Sequence, residues 1–348
     1  MHTKVREKWL QALDIRYPEL KNTIFNRYAV EKLDAIYTTF KTSGLADSNF
    51  DSKLELDGYS YHQAMSEMLF SNRLMRDGFV LSSYDSGPDF KAQKNDRTYW
   101  FEVITPEPRH GISEYVHDGI NRLNPNADET EKINTHRLWR IAAAIKEKKE
   151  KFEKYIQSPK FDVKEGDACI IVINDSLLEA LDLPMYGLTQ EVTKGISGLP
   201  LAAEVLYGIG HCYWYQDVAE NIILRQERGN VLNHNESPIN LQGFLNDYLS
   251  ILSGVFCLTL REDYGLTCLL DEKWFNRGTF IENNFANVKV EKDDLSANFL
   301  TYDYVKSLQS PSNISRNHNN AVNTIWFQKL KFIKYLNKKF EKPDRMGI

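Results

Sequence analysis

Cysteine is sparse in this chain of 348 residues. Cys169, Cys212, Cys257 and Cys268 are scattered, with no CxxC pair and no Cys/His zinc spacing. A disulfide framework and a zinc ribbon are thereby excluded, and the thiols read as core groups in a reducing compartment. The eight histidines form no HExxH or HxH pair. His62, His110, His136 and His211 read as structural or surface groups. No strong excess of charge is present: the formal net charge is −5. The surface as a whole is therefore no trap for polyanions, and any nucleic-acid contact must come from a local basic patch. Long apolar runs are missing too. The least charged stretch, 195–215, is interrupted by Pro200, Glu204, His211 and several glycines, which suits no membrane span. The opening MHTKVREKWLQAL contains no apolar core of a signal peptide. There are no repeats or low-complexity tracts. These absences lead to the expectation of a soluble cytoplasmic α/β protein.

Periodicity supplies the elements. Residues 4–42 read as amphipathic helix broken at Tyr17-Pro18, and 43–57 as a loop. A helix is expected from Tyr59 to Arg76, with Ala64, Met65, Met68, Leu69 and Leu74 on its apolar stripe and Asp77-Gly78 as its stop. Strands follow at 79–83, 89–92 and 99–105, joined by a Gly87-Pro88 turn and a hairpin turn at 94–97. Residues 112–131 read as an irregular polar insertion, and 132–157 as a long Lys/Glu/Ala-rich helix. The run ACIIVI at 168–173 suits a strand buried on both faces. Beyond 175 the pattern predicts helices at 200–207 and 239–253, paired strands at 255–260 and 266–270, and a basic amphipathic helix at 319–340. The aromatic residues of 199–215 read as a buried cluster or as a base-stacking surface. Three segments result: 1–57, helical; 58–176, the α-β-β-β-α-β core; and 177–348, an α+β extension.

The chemistry concentrates in SGPDFKAQKNDRTYWFEVIT at 86–105. Asp89 opens one strand, and Glu102 lies in the apolar return strand. A carboxylate inside such a run is costly to bury unless it is paired or holds a cation. Two carboxylates so placed can converge on one metal ion.

The element order, a helix glutamate, Pro88-Asp89 and the strand Glu102 together resemble the PD-(D/E)XK nuclease superfamily, whose fold is the restriction-endonuclease-like one. The resemblance covers about a third of the chain. Pro88-Asp89 matches the family's PD, Glu102 its (D/E), and Glu67 the extra carboxylate on the first helix. The GPDF element and the long Arg/Lys helix before an apolar strand are also similar to a group of bacterial nuclease-like proteins. The resemblance implies a Mg²⁺ site, with Mn²⁺ as a substitute, made by Asp89, Glu102 and Glu67 and completed by the Val103 carbonyl. Hard oxygen ligands with open positions suit that ion.

One position departs from the family. Ile104 stands where the family's lysine is expected, on Glu102's face of the strand. Some members move this lysine to a neighbouring element. Lys148, Lys151 and Tyr155 fall at i, i+3 and i+7 of the long helix and offer Lys148 or Lys151 as the replacement. Lys151-Phe-Glu-Lys-Tyr155 also resembles the family's QxxxY element, with Lys for Gln. On the same helix, Arg137 and Arg140, with Lys146, Lys149 and Lys154, are candidate phosphate contacts, with Tyr155 among the nucleic-acid-binding residues.

The expected function is a metal-dependent endonuclease acting on nucleic acid, with DNA favoured and restriction or phage defence as its setting; a homodimer is compatible with the family. The alternative, motivated by Ile104, is a catalytically silent nuclease-like module that binds nucleic acid or protein.

Overall fold

The computed structural model describes residues 3–83, 87–108, 127–178, 200–216, 221–227, 229–232, 235, 237–267, 278–307 and 334. Its framework is α/β: a mixed seven-stranded sheet with helices on both faces. The N-terminal helices are α1 (Thr3–Arg16) and α2 (Ile24–Thr42), separated by a 3₁₀ turn at Pro18–Leu20. The expected break at Tyr17-Pro18 is therefore present. Residues 43–57 are not all loop: Phe50 and Leu54, four apart, bury together and turn Phe50–Glu55 into helix α3. Helix α4 spans Tyr59–Arg76 and turns out of its last turn through Asp77 and Gly78.

Strands β1 (Val80–Ser82), β2 (Phe90–Lys94) and β3 (Arg97–Ile104) form an antiparallel meander. Asn95 and Asp96 both have positive φ, the conformation of a two-residue hairpin whose twist matches that of the strands. Helix α5 (Ala127–Gln157) then leads to β4 (Ala168–Asn174), which lies parallel to β3. The helix starts at Ala127 rather than Lys132, so the end of the expected irregular insertion is helical; residues 109–126 lie outside the described residues.

Past residue 200 the order is α6 (Leu201–Tyr207), the hairpin β5 (Ile209–Gln216) and β6 (Asn221–Glu227), then β7 (Asn230–Leu232) paired with β8 (Pro238–Asn240). β9 (Gly254–Leu258), α7 (Tyr264–Thr267), β10 (Thr279–Glu282), β11 (Asn298–Leu300) and α8 (Tyr302–Ser307) follow. The main sheet runs β1-β2-β3-β4-β9-β10-β11. Strands from 177–348 thus extend the sheet begun by 80–174.

Two expectations in this half fail. Residues 239–253 do not form a helix: Pro238–Asn240 pairs as β8, and only Asp247–Leu249 makes a 3₁₀ turn. Leu266 and Thr267 are helical rather than paired with 255–260, and 268–270 lie outside the described residues. Leu266 lies in α7, where Gly265 packs so closely on the Ala29 backbone that a Cβ there would sit 2.4 Å from the Ala29 carbonyl oxygen. β9 pairs with β4 and β10 instead. The expected tail helix at 319–340 falls outside the described residues except for Lys334.

Each face of the sheet carries its own core. Tyr99, Phe101, Val103, Ile170, Val172 and Phe256 pack against α1, α2 and α4. Trp100, Ile104, Cys169, Ile171, Ile173 and Cys257 pack against α5 and α6. All seven residues of β4 are buried, as expected of a strand between two parallel neighbours. Tyr207, from the aromatic segment, is buried and donates to the Leu300 carbonyl, a structural role. Among the described residues no helix is long and apolar enough to cross a membrane.

Candidate active site

The site forms where β2 falls short of β3. Their ladder ends at Phe90↔Phe101, while β3 continues to Ile104. Beyond that point no strand among the described residues pairs with the β2 side of β3. Asp89, the residue just before β2, meets the need: its Oδ2 accepts the Val103 N–H at 2.7 Å. Gly87 ahead of it has φ 143°, in the region that favours glycine, and this lets the Gly87-Pro88-Asp89 turn form. The backbone bond thus fixes Asp89 beside Glu102.

Glu102 is 1 % exposed and points to the α5 face, as do Trp100 and Ile104. Both of its carboxylate oxygens are occupied. Lys148 Nζ lies 2.5 Å from Oε2, and Tyr155 donates its O–H to Oε1 at 2.9 Å. Lys148 and Tyr155 are seven residues apart on α5, two turns along one face. Lys151, between them, pairs with Glu147 at 3.5 Å rather than with Glu102, with its side chain 40 % exposed, and its side chain also interacts with that of Lys148. Of the two lysine candidates, Lys148 is the cation at Glu102.

Glu67 approaches from α4. Gln63, one turn earlier, donates to Glu67 Oε1 at 2.9 Å and to the Val103 carbonyl at 3.0 Å, and accepts the Thr105 N–H at 3.1 Å. The next residue toward the N-terminus, Ser66, shares a hydrogen bond with the Thr105 hydroxyl. Asn174, at the end of β4, donates to the Ser66 hydroxyl and to the Leu260 carbonyl and accepts the Leu260 N–H. These bonds lock α4 against β3, β4 and the chain after β9.

The charges of the cluster act on one another. Loss of solvent, then the charges of Glu102 and Glu67, push the Asp89 carboxyl well above its ordinary range. Loss of solvent also raises Glu67, with Gln63 and Lys53 pulling the other way. Burial alone would lower the Lys148 ammonium, yet Asp89 and Glu102 raise it, so it holds its proton firmly. Tyr155 is raised by burial and by the Glu102 carboxylate.

The phosphate contacts expected on α5 are placed differently. Arg137 is buried, and Arg140 donates through Nε to the Glu107 carbonyl at 2.5 Å. Lys149 pairs with Glu153 at 2.7 Å and sits over the Tyr248 ring. Tyr155 is spent on Glu102. Two groups went unnoticed in the sequence. Lys53, on α3, bonds Asp47 at 2.5 Å, and its charge reaches Glu67 and Asp89. Gln63 stands four residues before Glu67, a helical spacing that sets the two side chains on one face.

Among the described residues, no three His, Cys, Asp or Glu side chains stand close enough together to form a ready-made metal cage. The donor chemistry nonetheless suits a hard divalent cation: Asp89, Glu102 and Glu67 are oxygen donors, and burial with the charges of Glu102 and Glu67 raises the Asp89 carboxyl even with Lys148 opposing. Set against family models, curated proteins and solved structures, the chain gives no match.

Proposed function

We propose that this protein is a metal-dependent endonuclease that hydrolyses phosphodiester bonds, with DNA as the favoured substrate, and that residues 58–176 form a restriction-endonuclease-like core. The observation that carries the reading is the meeting of Glu102 with Lys148 and Tyr155 beside Asp89, which is itself anchored on the Val103 N–H. A lysine from α5 stands at the carboxylate where Ile104 supplies none. The order α4-β1-β2-β3-α5-β4, with an antiparallel meander and a parallel fourth strand, supports the fold part of the reading.

A bound Mg²⁺ or Mn²⁺ would supply charge stabilisation at phosphate oxygens and a more acidic water. Asp89 and Glu102 would hold it, with Glu67 acting directly or through water. Lys148 is kept protonated by its carboxylate neighbours, so its part is that of a fixed positive charge rather than a base. Tyr155 fixes the rotamer of Glu102. Lys53, at the α3 side, is tied to Asp47 by a partly exposed ion pair that a phosphate can displace at little cost.

The second reading is a silent binding module. Ile104 and the full occupation of Glu102's oxygens favour it. Plasmid and single-stranded nucleic acid incubated with Mg²⁺, Mn²⁺ or EDTA separate the two. Metal-dependent cutting that drops at least ~100-fold in Glu102→Gln is expected. Binding without cutting under every metal would favour the silent module.

A further inference from the structure

The edge of β3 beyond Phe101 is completed by a side chain that imitates a strand. In a parallel ladder, one residue of the neighbouring strand donates its N–H to a carbonyl and accepts, at its own C=O, the N–H two residues further on. The carboxamide of Gln63 does this to Val103 and Thr105, at 3.0 and 3.1 Å. Its remaining N–H goes to Glu67 Oε1 at 2.9 Å. One amide therefore touches two oxygens, one the carbonyl of Val103, whose N–H anchors Asp89, and one of Glu67. Both are oxygens that the proposed cation would draw on.

We propose that Gln63 is the positioning residue of this site, orienting the Val103 carbonyl and Glu67 toward a divalent cation through its two amide N–H groups. This rests on the metal-dependent reading above. Groups that orient metal-binding oxygens through hydrogen bonds commonly control affinity by ~10–100-fold. Gln63 does so here without contributing charge. A glutamate in its place would keep the acceptor for the Thr105 N–H, lose both donors and bring a fourth carboxylate against the Val103 carbonyl. That arrangement is unfavourable when empty and favourable around a cation.

The test is Mn²⁺ titration of the full chain by calorimetry and by electron spin resonance of free Mn²⁺, with melting curves with and without the ion. Wild type, Asp89→Asn, Gln63→Leu and Gln63→Glu are compared. Expected is Mn²⁺ binding in wild type that Asp89→Asn abolishes and Gln63→Leu weakens ~10-fold. Gln63→Glu is expected to melt lower than wild type when empty and to gain more from Mn²⁺ than wild type does. A merely structural glutamine would lower melting temperatures and leave Mn²⁺ affinity within ~2-fold, short of the ~10-fold that orientation controls; that result overturns the proposal while the cation reading stands. If Gln63→Leu fails to fold, Gln63→Glu decides alone, and an unchanged gain from Mn²⁺ overturns it. Wild type that binds no Mn²⁺ overturns the cation reading and this role with it.

Discussion

Lys148 Nζ and Glu102 Oε2 lie 2.5 Å apart across 46 residues of chain, with both side chains under a tenth exposed. The pair joins the middle of β3 to α5. Breaking a buried pair by removing one partner typically costs ~3–5 kcal/mol, because the other charge is left stranded. Lys148→Met is therefore expected to destabilise the protein by about that much. Lys148→Met with Glu102→Gln is expected to cost less than Lys148→Met alone. Denaturant melts of the two single variants and the double variant check this, and additive costs would contradict the pairing.

Tyr155 and Lys151 separate in the same way. Tyr155→Phe deletes one hydrogen bond to a buried carboxylate, a loss of about 1.5–3 kcal/mol for a bond to a charged group. Lys151 pairs with Glu147 at 3.5 Å with its side chain 40 % exposed. Lys151→Ala is expected within about 0.5 kcal/mol of wild type. In cleavage assays the same ranking is expected, with Tyr155→Phe impaired and Lys151→Ala near normal. Equal effects would mean that both act on Glu102 after all.

Asp175 gives the fold a dependence on pH. It is 2 % exposed, and its Oδ1 accepts the Thr259 O–H at 2.7 Å. Burial lifts its carboxyl from the ordinary 3.8 to about 7, with Thr259 and Arg261 opposing the rise. The folded protein therefore keeps a proton here that the unfolded chain gives up. The stabilisation is complete below pH 3.8 and is lost as pH rises to about 7. Asp175→Asn removes the titrating group. Relative to wild type, it is expected to gain about 2 kcal/mol of stability between pH 5 and pH 8. Parallel stability curves for the two proteins would count against it.

Where local pattern and burial agreed, the sequence reading holds. Helix α4 begins at Tyr59 and ends at Arg76, as its apolar spacing and the Asp77-Gly78 stop require. ACIIVI forms a strand buried on both sides. Lys148 is legible because helical spacing sets it on the face of Tyr155; that Lys151 pairs with Glu147 rather than with Glu102 is not, since the same spacing admits both lysines. Residues 239–253 show the opposite limit. Leu241, Phe244, Leu249 and Leu252 are apolar at near-helical intervals and all buried, but they are buried by an irregular chain running over α6 and β9. Partners far away in sequence decide such a segment. Gln63 was missed for another reason. An amide carries no charge to mark it, and its role exists only once β2 has stopped short of β3.

The place of β4 has a consequence for anyone wishing to work with a smaller piece of this protein. β4 is flanked by β3 on one side and by β9 on the other, and β9 comes from some eighty residues further along. A fragment cut at 176 would keep every carboxylate and lysine of the site and still lose β9. It would then present Ile170–Asn174 as an open row of backbone donors and acceptors flanked by isoleucine and valine, an invitation to self-association. The site's residues all precede 176, but the solubility of the part that holds them belongs to the whole sheet.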